Sequence, residues 1–147
     1  MIITYKEIRF YGLFFLTEET QNLNFNTNKI DQQREIYLKC AANLSRSLYA
    51  LGYKFILLCN NYESIKKILI RNKIELNIEE INFETYVPKN IHFSSCHYRV
   101  DVFKYLSEKT GQLSILIDLD VIVVDKLPDL REILLDNVGY VNNISDN

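Results

Sequence analysis

Two aspartates, Asp118 and Asp120, stand inside the most apolar segment of the chain, which reads ILIDLDVIVV over residues 115–124. Charged side chains amid apolar sequence are costly unless they are paired or bind a cation. In an extended segment, residues two apart point to the same side, so both carboxylates can approach one ion. Their hard oxygen atoms suit Mg²⁺ or Mn²⁺, ions that keep coordination positions for water and phosphate groups. The pair therefore predicts a divalent-metal site. The plainer interpretation is a strand end whose acids are solvated or paired with lysines.

The composition narrows the classes of protein to consider. A chain of 147 residues fits one domain with its own core. Its 48% hydrophobic and 24% charged residues are near the average for a globular protein. The net charge of -2 provides no overall field for nucleic acid or an anionic membrane, so we expect no nucleic-acid partner.

The sequence also predicts where the protein works. Its apolar runs are too short, or too interrupted by acids, to form a transmembrane segment. The N-terminus MIITYKEIRF lacks the pattern of a signal peptide. The three cysteines, Cys40, Cys59 and Cys96, are scattered without a C-x-x-C pair, which predicts reduced, buried thiols. We therefore expect a cytoplasmic protein.

Strand and helix patterns alternate along the chain. Apolar, β-branched and aromatic runs predict strands at residues 8–16, 55–59, 113–117, 121–124 and 138–141, and more loosely at 74–83. Helical patterns cover residues 31–51, 64–71, 94–109 and 129–135. This alternation predicts an α/β fold, Rossmann-like, with a mostly parallel sheet flanked by helices.

The spacing of apolar residues also predicts which helix faces are buried. In the first helix these residues are Ile36, Cys40, Leu44, Leu48 and Leu51. In the helix over residues 94–109 they are Val100, Phe103 and Leu106.

Polar residues that follow predicted strands are candidates for ligand binding. In open α/β sheets, ligands bind outside the carboxyl ends of the strands. This rule selects Thr17, Asn60, Asp118 and Asp120. The chain has no Walker loop and no G-x-G-x-x-G turn, so a nucleotide cannot rest on a glycine cradle. A bound cation would have to hold its phosphates.

A resemblance adds to this interpretation. Residues 96–130, CHYRVDVFKYLSEKTGQLSILIDLDVIVVDKLPDL, are similar to the core of glycosyltransferases with a GT-A fold and a DXD motif. They resemble the DXD sugar-binding family and, more loosely, the glycogenin-like family. The similarity lies in an acid and a base three residues apart on a helix (Asp101 and Lys104), a glycine turn at Gly111, an apolar strand and the Asp-x-Asp motif.

The resemblance implies roles for individual residues. Asp118 and Asp120 would contact the metal, the donor ribose and the diphosphate, while Asp101 and Lys104 would face the donor sugar. Lys104 stands where the DXD sugar-binding family has arginine, and lysine lacks the planar bidentate fork, so Arg99 would supply the guanidinium. The implied cofactor is Mn²⁺ or Mg²⁺, and the implied donor is a nucleotide diphosphate sugar, foremost a UDP-sugar. The plainer interpretation of Asp101 and Lys104 is an exposed ion pair on a helix.

The expected activity is metal-dependent glycosyl transfer, with residues 1–147 as a single donor-binding domain that lacks an acceptor-binding half. The acceptor and the catalytic base cannot be assigned from the sequence. The main alternative is a non-catalytic partial domain that binds a sugar nucleotide or a partner chain. A haloacid-dehalogenase-like phosphatase also has an Asp-x-Asp strand, but it requires Thr or Val where this chain has Ile122, and we reject it.

Overall fold

The computed structural model describes residues 7–17, 29–88, 91 and 94–127. In chain order, the elements in this part of the protein are β1 (Glu7–Phe14), α1 (Ile30–Ala50), β2 (Lys54–Cys59), α2 (Tyr62–Arg71), β3 (Ile78–Glu80), α3 (Ser94–His97), α4 (Arg99–Ser107) and β4 (Gln112–Leu116).

The strands form one four-stranded sheet in the order β3-β2-β1-β4, and every adjacent pair is parallel. The α/β class with a parallel, Rossmann-like sheet is therefore confirmed. The chain moves from β1 outward to β2 and β3, then returns to place β4 on the other side of β1. The direction of winding thus reverses between β1 and β4. In open α/β sheets, ligands bind at such a switch point.

Helices cover both faces of the sheet. Successive strand residues point to opposite faces, so Phe10 and Phe14 of β1 join a core cluster with Leu44 of α1. Tyr11, between them in sequence, packs on the other face with Val102 of α4. The fold therefore has three layers, and both faces of β1 are buried.

Most predicted elements are present within a few residues of their expected bounds. The strands at residues 8–16, 55–59 and 113–117 correspond to β1, β2 and β4, and the helices at residues 31–51 and 64–71 correspond to α1 and α2. The loosely predicted strand at residues 74–83 is only the three-residue β3. The helix predicted at residues 129–135 and the strand predicted at 138–141 lie outside the described residues.

One predicted helix is interrupted, and one predicted strand was wrong. The helix expected over residues 94–109 is divided into α3 and α4 at Tyr98, whose ring stacks on Phe15. The strand expected at residues 121–124 is absent, because a turn at Leu119 and Asp120 takes the chain away from the sheet. The chain then runs over α1, where the Val123 N–H donates a hydrogen bond to Ser47 Oγ at 3.1 Å.

The predicted buried faces of the helices were only partly right. Leu44 and Leu48 of α1 are buried, but Ile36 is exposed and Leu38 is buried instead. In α4, Leu106 is buried as predicted, whereas Val100 and Phe103 are 62% and 58% exposed. The side chains of α4 that pack inward are Asp101, Val102 and Leu106.

The thiols are free but differ in exposure. Cys59 is buried, Cys40 is half-buried, and Cys96 is exposed, so the prediction of three buried thiols fails at Cys96. Burial raises the pKa of the Cys59 thiol to about 11. Within the described residues, no helix is both long enough and apolar enough to cross a bilayer.

Gly12, in the middle of β1, allows the Leu119 side chain to approach the sheet closely. A Cβ atom at this position would lie 2.4 Å from Leu119 Cδ2 and 2.9 Å from Phe55 Cζ. Leu119 is 9% exposed and belongs to the core cluster between the sheet and α1. A glycine inside a strand often marks such an approach. Gly12 therefore provides the space that seats the turn following β4.

Asp101 connects α4 to the segment that follows β3. One of its carboxylate oxygens accepts hydrogen bonds from the backbone N–H groups of Glu84 and Thr85, at 3.1 and 3.2 Å. Burial opposes ionisation of Asp101, but these hydrogen bonds and one from the Thr85 side chain outweigh it. They lower the pKa of Asp101 below its ordinary value. The carboxylate therefore holds residues 84 and 85 against the sheet side of α4.

We expect Gly12→Ala to destabilise the protein by about 1–3 kcal/mol, because the new methyl group overpacks the Leu119 site. Chemical denaturation checks this value. The matched control is Gly12→Ala in a Leu119→Ala background, where the Leu119 side chain no longer meets the methyl group. The substitution should then cost less. An equal cost in both backgrounds would contradict the assigned contact.

We expect Asp101→Asn to cost about 1–3 kcal/mol, because the neutral amide loses the charge-assisted strength of these bonds and its NH₂ group cannot accept the bond that the Thr85 N–H donates to Oδ2. The folded-state pKa of Asp101 is lowered, so its contribution is fully present above the unfolded-state pKa of about 3.9. It is lost as the pH falls through the lower, folded-state pKa. The stability difference between wild type and variant should therefore shrink in acid. A difference that is constant from pH 7 to pH 2.5 would argue against this role.

We expect a maleimide reagent at neutral pH to label the exposed Cys96 fastest. Cys59 should resist labelling until the protein unfolds, because it is buried and its raised pKa leaves little thiolate. Mass spectrometry of the labelled peptides separates the sites. Labelling of Cys59 as fast as Cys96 in the native protein would contradict the packing of β2.

Candidate functional site

The acidic pair lies at the carboxyl edge of the sheet, beside the switch point. The Ile117 N–H donates a hydrogen bond to the Tyr11 carbonyl at 2.9 Å, which extends the pairing of β4 with β1 by one residue. Asp118 is the next residue in the chain. The position that the sequence predicted from strand ends is therefore next to the switch point, where ligands of open α/β sheets bind.

Leu119 anchors the turn that carries both acids. Its side chain is buried in the core, whereas Asp118 and Asp120 on either side of it are exposed. The apolar residue thus fixes the backbone while the carboxylates remain accessible to solvent. Sequence reasoning identified the two acids, but it missed Leu119 and the glycine beneath it. The sequence signal that could have revealed them is a glycine inside a strand of otherwise bulky residues.

Arg99 and Asp118 are brought together across 19 residues of sequence. Arg99 is the first residue of α4, and its guanidinium Nη2 donates a hydrogen bond to Asp118 Oδ1. The side chains of Arg99 and Asp118 are 43% and 60% exposed, so the ion pair is open to solvent and to a ligand. Two of the residues selected from the sequence therefore share one site.

A cleft of about 440 Å³ opens along the same edge, beyond the ends of β1, β2 and β3. Its lining residues are Phe15, Asn60, Glu80, Ile81, Asn82 and Phe83. Tyr98 stacks on Phe15 with ring centroids 3.7 Å apart, and Phe83 meets both rings edge-on. These aromatic rings extend from the cleft to Tyr98, the residue before Arg99. Sequence reasoning did not select them, although Phe15 directly follows β1.

Asn60 and Thr17 lie at this edge as predicted. The Asn60 side chain binds a backbone segment, and the backbone of Thr17 binds a side chain of α1. The Asn60 side chain accepts a hydrogen bond from the Leu16 N–H at 2.7 Å and donates one to the Leu16 carbonyl at 3.1 Å. The carbonyl of Thr17 accepts a hydrogen bond from Arg34 of α1. Asn60 thus joins the ends of β1 and β2, and its side chain still lines the cleft.

Asp101 and Lys104 do not form the exposed ion pair of the plainer interpretation, because each has another partner. Asp101 is only 7% exposed and binds backbone N–H groups, as described above. Lys104 pairs with Glu84 at 3.1 Å, and this hydrogen bond raises the pKa of the lysine. Both residues therefore hold the segment after β3, whose residues 81–83 form one wall of the cleft. A contact of either residue with a donor sugar stays a prediction.

The donor set at the acidic pair suits a hard divalent cation. Within the described residues, no three His, Cys, Asp or Glu side chains form a group that could hold a metal ion. A cation at this edge would have the two exposed carboxylates of Asp118 and Asp120 as its candidate protein ligands. Mg²⁺ is commonly bound in this way, with one or two carboxylates, several waters and the phosphates of a substrate. Mn²⁺ accepts the same oxygen ligands.

Comparison with known proteins identifies no relative. No protein-family model, curated protein or solved structure matches this chain. The chemistry of the site must therefore be inferred from its own residues and their positions.

Proposed function

We propose that this chain binds the nucleotide diphosphate sugar donor of a metal-dependent glycosyltransferase. The observation that carries the proposal is the exposed pair Asp118 and Asp120, which directly follows β4 at the switch point of a parallel sheet. Two accessible carboxylates at that edge suit a cation that neutralises a diphosphate. Mn²⁺ or Mg²⁺ is the proposed ion.

The cleft at the ends of β1, β2 and β3, which the stacked rings of Phe15 and Tyr98 connect to Arg99, supports a nucleotide ligand. Its volume of about 440 Å³ lies within the usual range for small-molecule sites. Its aromatic wall offers Phe15 and Phe83 to a base, and the Asn82 and Glu80 side chains offer hydrogen-bonding groups to a base or a ribose. UDP is the proposed nucleotide, because residues 96–130 resemble glycosyltransferases with a DXD motif.

Helix α4 carries two positive side chains that bear on the charge at this edge. Arg99 lies next to the acidic pair, whereas Lys104 is paired with Glu84. A diphosphate therefore needs the cation as well as Arg99 for charge balance. When bound, the cation would supply Lewis-acid stabilisation of the leaving diphosphate. The chain's own residues would orient the donor and hold the cation. We also propose that the protein works in the cytoplasm and that the sugar is transferred to an acceptor, which the sequence does not identify.

We expect UDP to bind in the presence of Mn²⁺ and to bind at least about tenfold more weakly when the ion is chelated. Asp118→Asn combined with Asp120→Asn should cause a loss of similar size, because it removes both anionic ligands. Isothermal titration calorimetry measures both effects. Asp125→Asn is the matched control, since Asp125 is an exposed acid in the same segment. UDP binding that does not depend on Mn²⁺ or on the acidic pair would overturn the proposal.

The same samples separate an enzyme from a non-catalytic binder. Incubation with UDP-sugars and Mn²⁺ should release UDP, which a coupled assay detects, and the double variant should release none above background. Metal-dependent binding without any release of UDP would favour the alternative in which the domain binds the sugar nucleotide but does not transfer the sugar.

A further inference from the structure

The ion pair between Arg99 and Asp118 occupies one of the carboxylates assigned to the proposed cation. Arg99 Nη2 donates to Asp118 Oδ1, one of four carboxylate oxygens in the acidic pair. A guanidinium and a divalent cation repel each other, and both are attracted to the same carboxylate. The two therefore compete for Asp118. When no cation is bound, Arg99 forms the ion pair with this carboxylate.

The helix that carries Arg99 is fixed in position. Val102 and Leu106 of α4 are buried against the sheet, and Asp101 is bonded to the backbone of residues 84 and 85. Tyr98, just before the helix, stacks on Phe15. If Arg99 leaves Asp118, its backbone consequently stays where it is. Only the side chain moves, and its guanidinium remains within a few ångströms of the acidic pair.

A displaced Arg99 needs a new anionic partner. Lys104 lies on the same helix but is already paired with Glu84, so it does not take over this role. The diphosphate of a donor bound through the cation would bring phosphate oxygens to the place that Arg99 can reach. Arginine binds a phosphate through two parallel N–H bonds, as it can a carboxylate, and a diphosphate offers it more negative charge than the single carboxylate of Asp118.

We propose that Arg99 exchanges partners during donor binding. It neutralises Asp118 when no cation is bound, yields this carboxylate to the cation, and then binds the diphosphate. This inference rests on the proposed function, since it assigns a regulatory role to a residue of the same site. Its consequence is that one side chain weakens cation binding and strengthens nucleotide binding. The cation alone binds poorly, and the cation with the diphosphate binds well.

The opposite signs of these two effects provide the test. We expect Arg99→Gln to bind Mn²⁺ about two- to fivefold more tightly than wild type in the absence of nucleotide, because the competing ion pair is removed. The electron paramagnetic resonance signal of free Mn²⁺ measures this affinity. At saturating Mn²⁺, the same variant should bind UDP about tenfold or more weakly, because a charge-assisted contact to phosphate is lost. Calorimetry measures the second affinity.

Arg71→Gln is the matched control, because it makes the same substitution at an exposed arginine, the last residue of α2, which has no part in the proposed site. It should leave both affinities within about twofold of wild type. Arg99→Lys should keep the competition for Asp118 but lose part of the UDP affinity, because lysine lacks the bidentate fork. Circular dichroism of each variant verifies the fold.

Each other outcome is informative. Weaker Mn²⁺ binding by Arg99→Gln, with or without weaker UDP binding, would show a supporting role for Arg99 and overturn the exchange while the proposed function stands. Unchanged UDP affinity in Arg99→Gln would also overturn it. If wild type binds neither Mn²⁺ nor UDP with Mn²⁺, the proposed function fails, and the exchange fails with it.

Discussion

The contact between Leu119 and Gly12 determines where the acidic pair can lie. β4 ends beside β1, and the chain must turn at once if Asp118 and Asp120 are to remain at the edge of the sheet. Burial of Leu119 over Gly12 makes that turn favourable, because the leucine side chain leaves water and fills the space above the glycine. The carboxylates on either side then face solvent. The same turn thus exposes the two acids and buries the leucine between them.

The fold class was predictable from the sequence because it depends on local patterns. The strands at residues 55–59 and 113–117 and the helix at residues 31–51 have a period and composition typical of buried α/β elements. The strand order was not predictable, since nothing in the local sequence says that β4 pairs with β1 on the side opposite β2. That pairing is what makes the edge beyond Asp118 a switch point. Strand ends indicated where a ligand would bind, but the tertiary structure was needed to show which strand ends are neighbours.

The errors in α4 and after β4 have a common cause in long-range contacts. Val100 and Phe103 have helical spacing with Leu106, yet the helix turns its Asp101 and Val102 inward. The backbone N–H groups of Glu84 and Thr85 account for this, because they satisfy a carboxylate that could not otherwise be buried. Residues 121–124 have strand composition, but the turn at Leu119 directs them onto α1. In both cases the residues that decide the structure are distant in sequence, so the local pattern does not reveal them.

Exposure and hydrogen bonding separate the acids of this protein into two kinds. Asp101 is buried and its oxygens are occupied by backbone N–H groups, so its charge is already compensated inside the fold. Asp118 is exposed, and the partner that compensates it is a flexible side chain on an adjacent helix. A group held by backbone cannot exchange partners without unfolding part of the structure, whereas a group held by one exposed arginine can exchange at little cost. Among the described residues at this edge, Asp118 and Arg99 form a charged pair that can rearrange in this way.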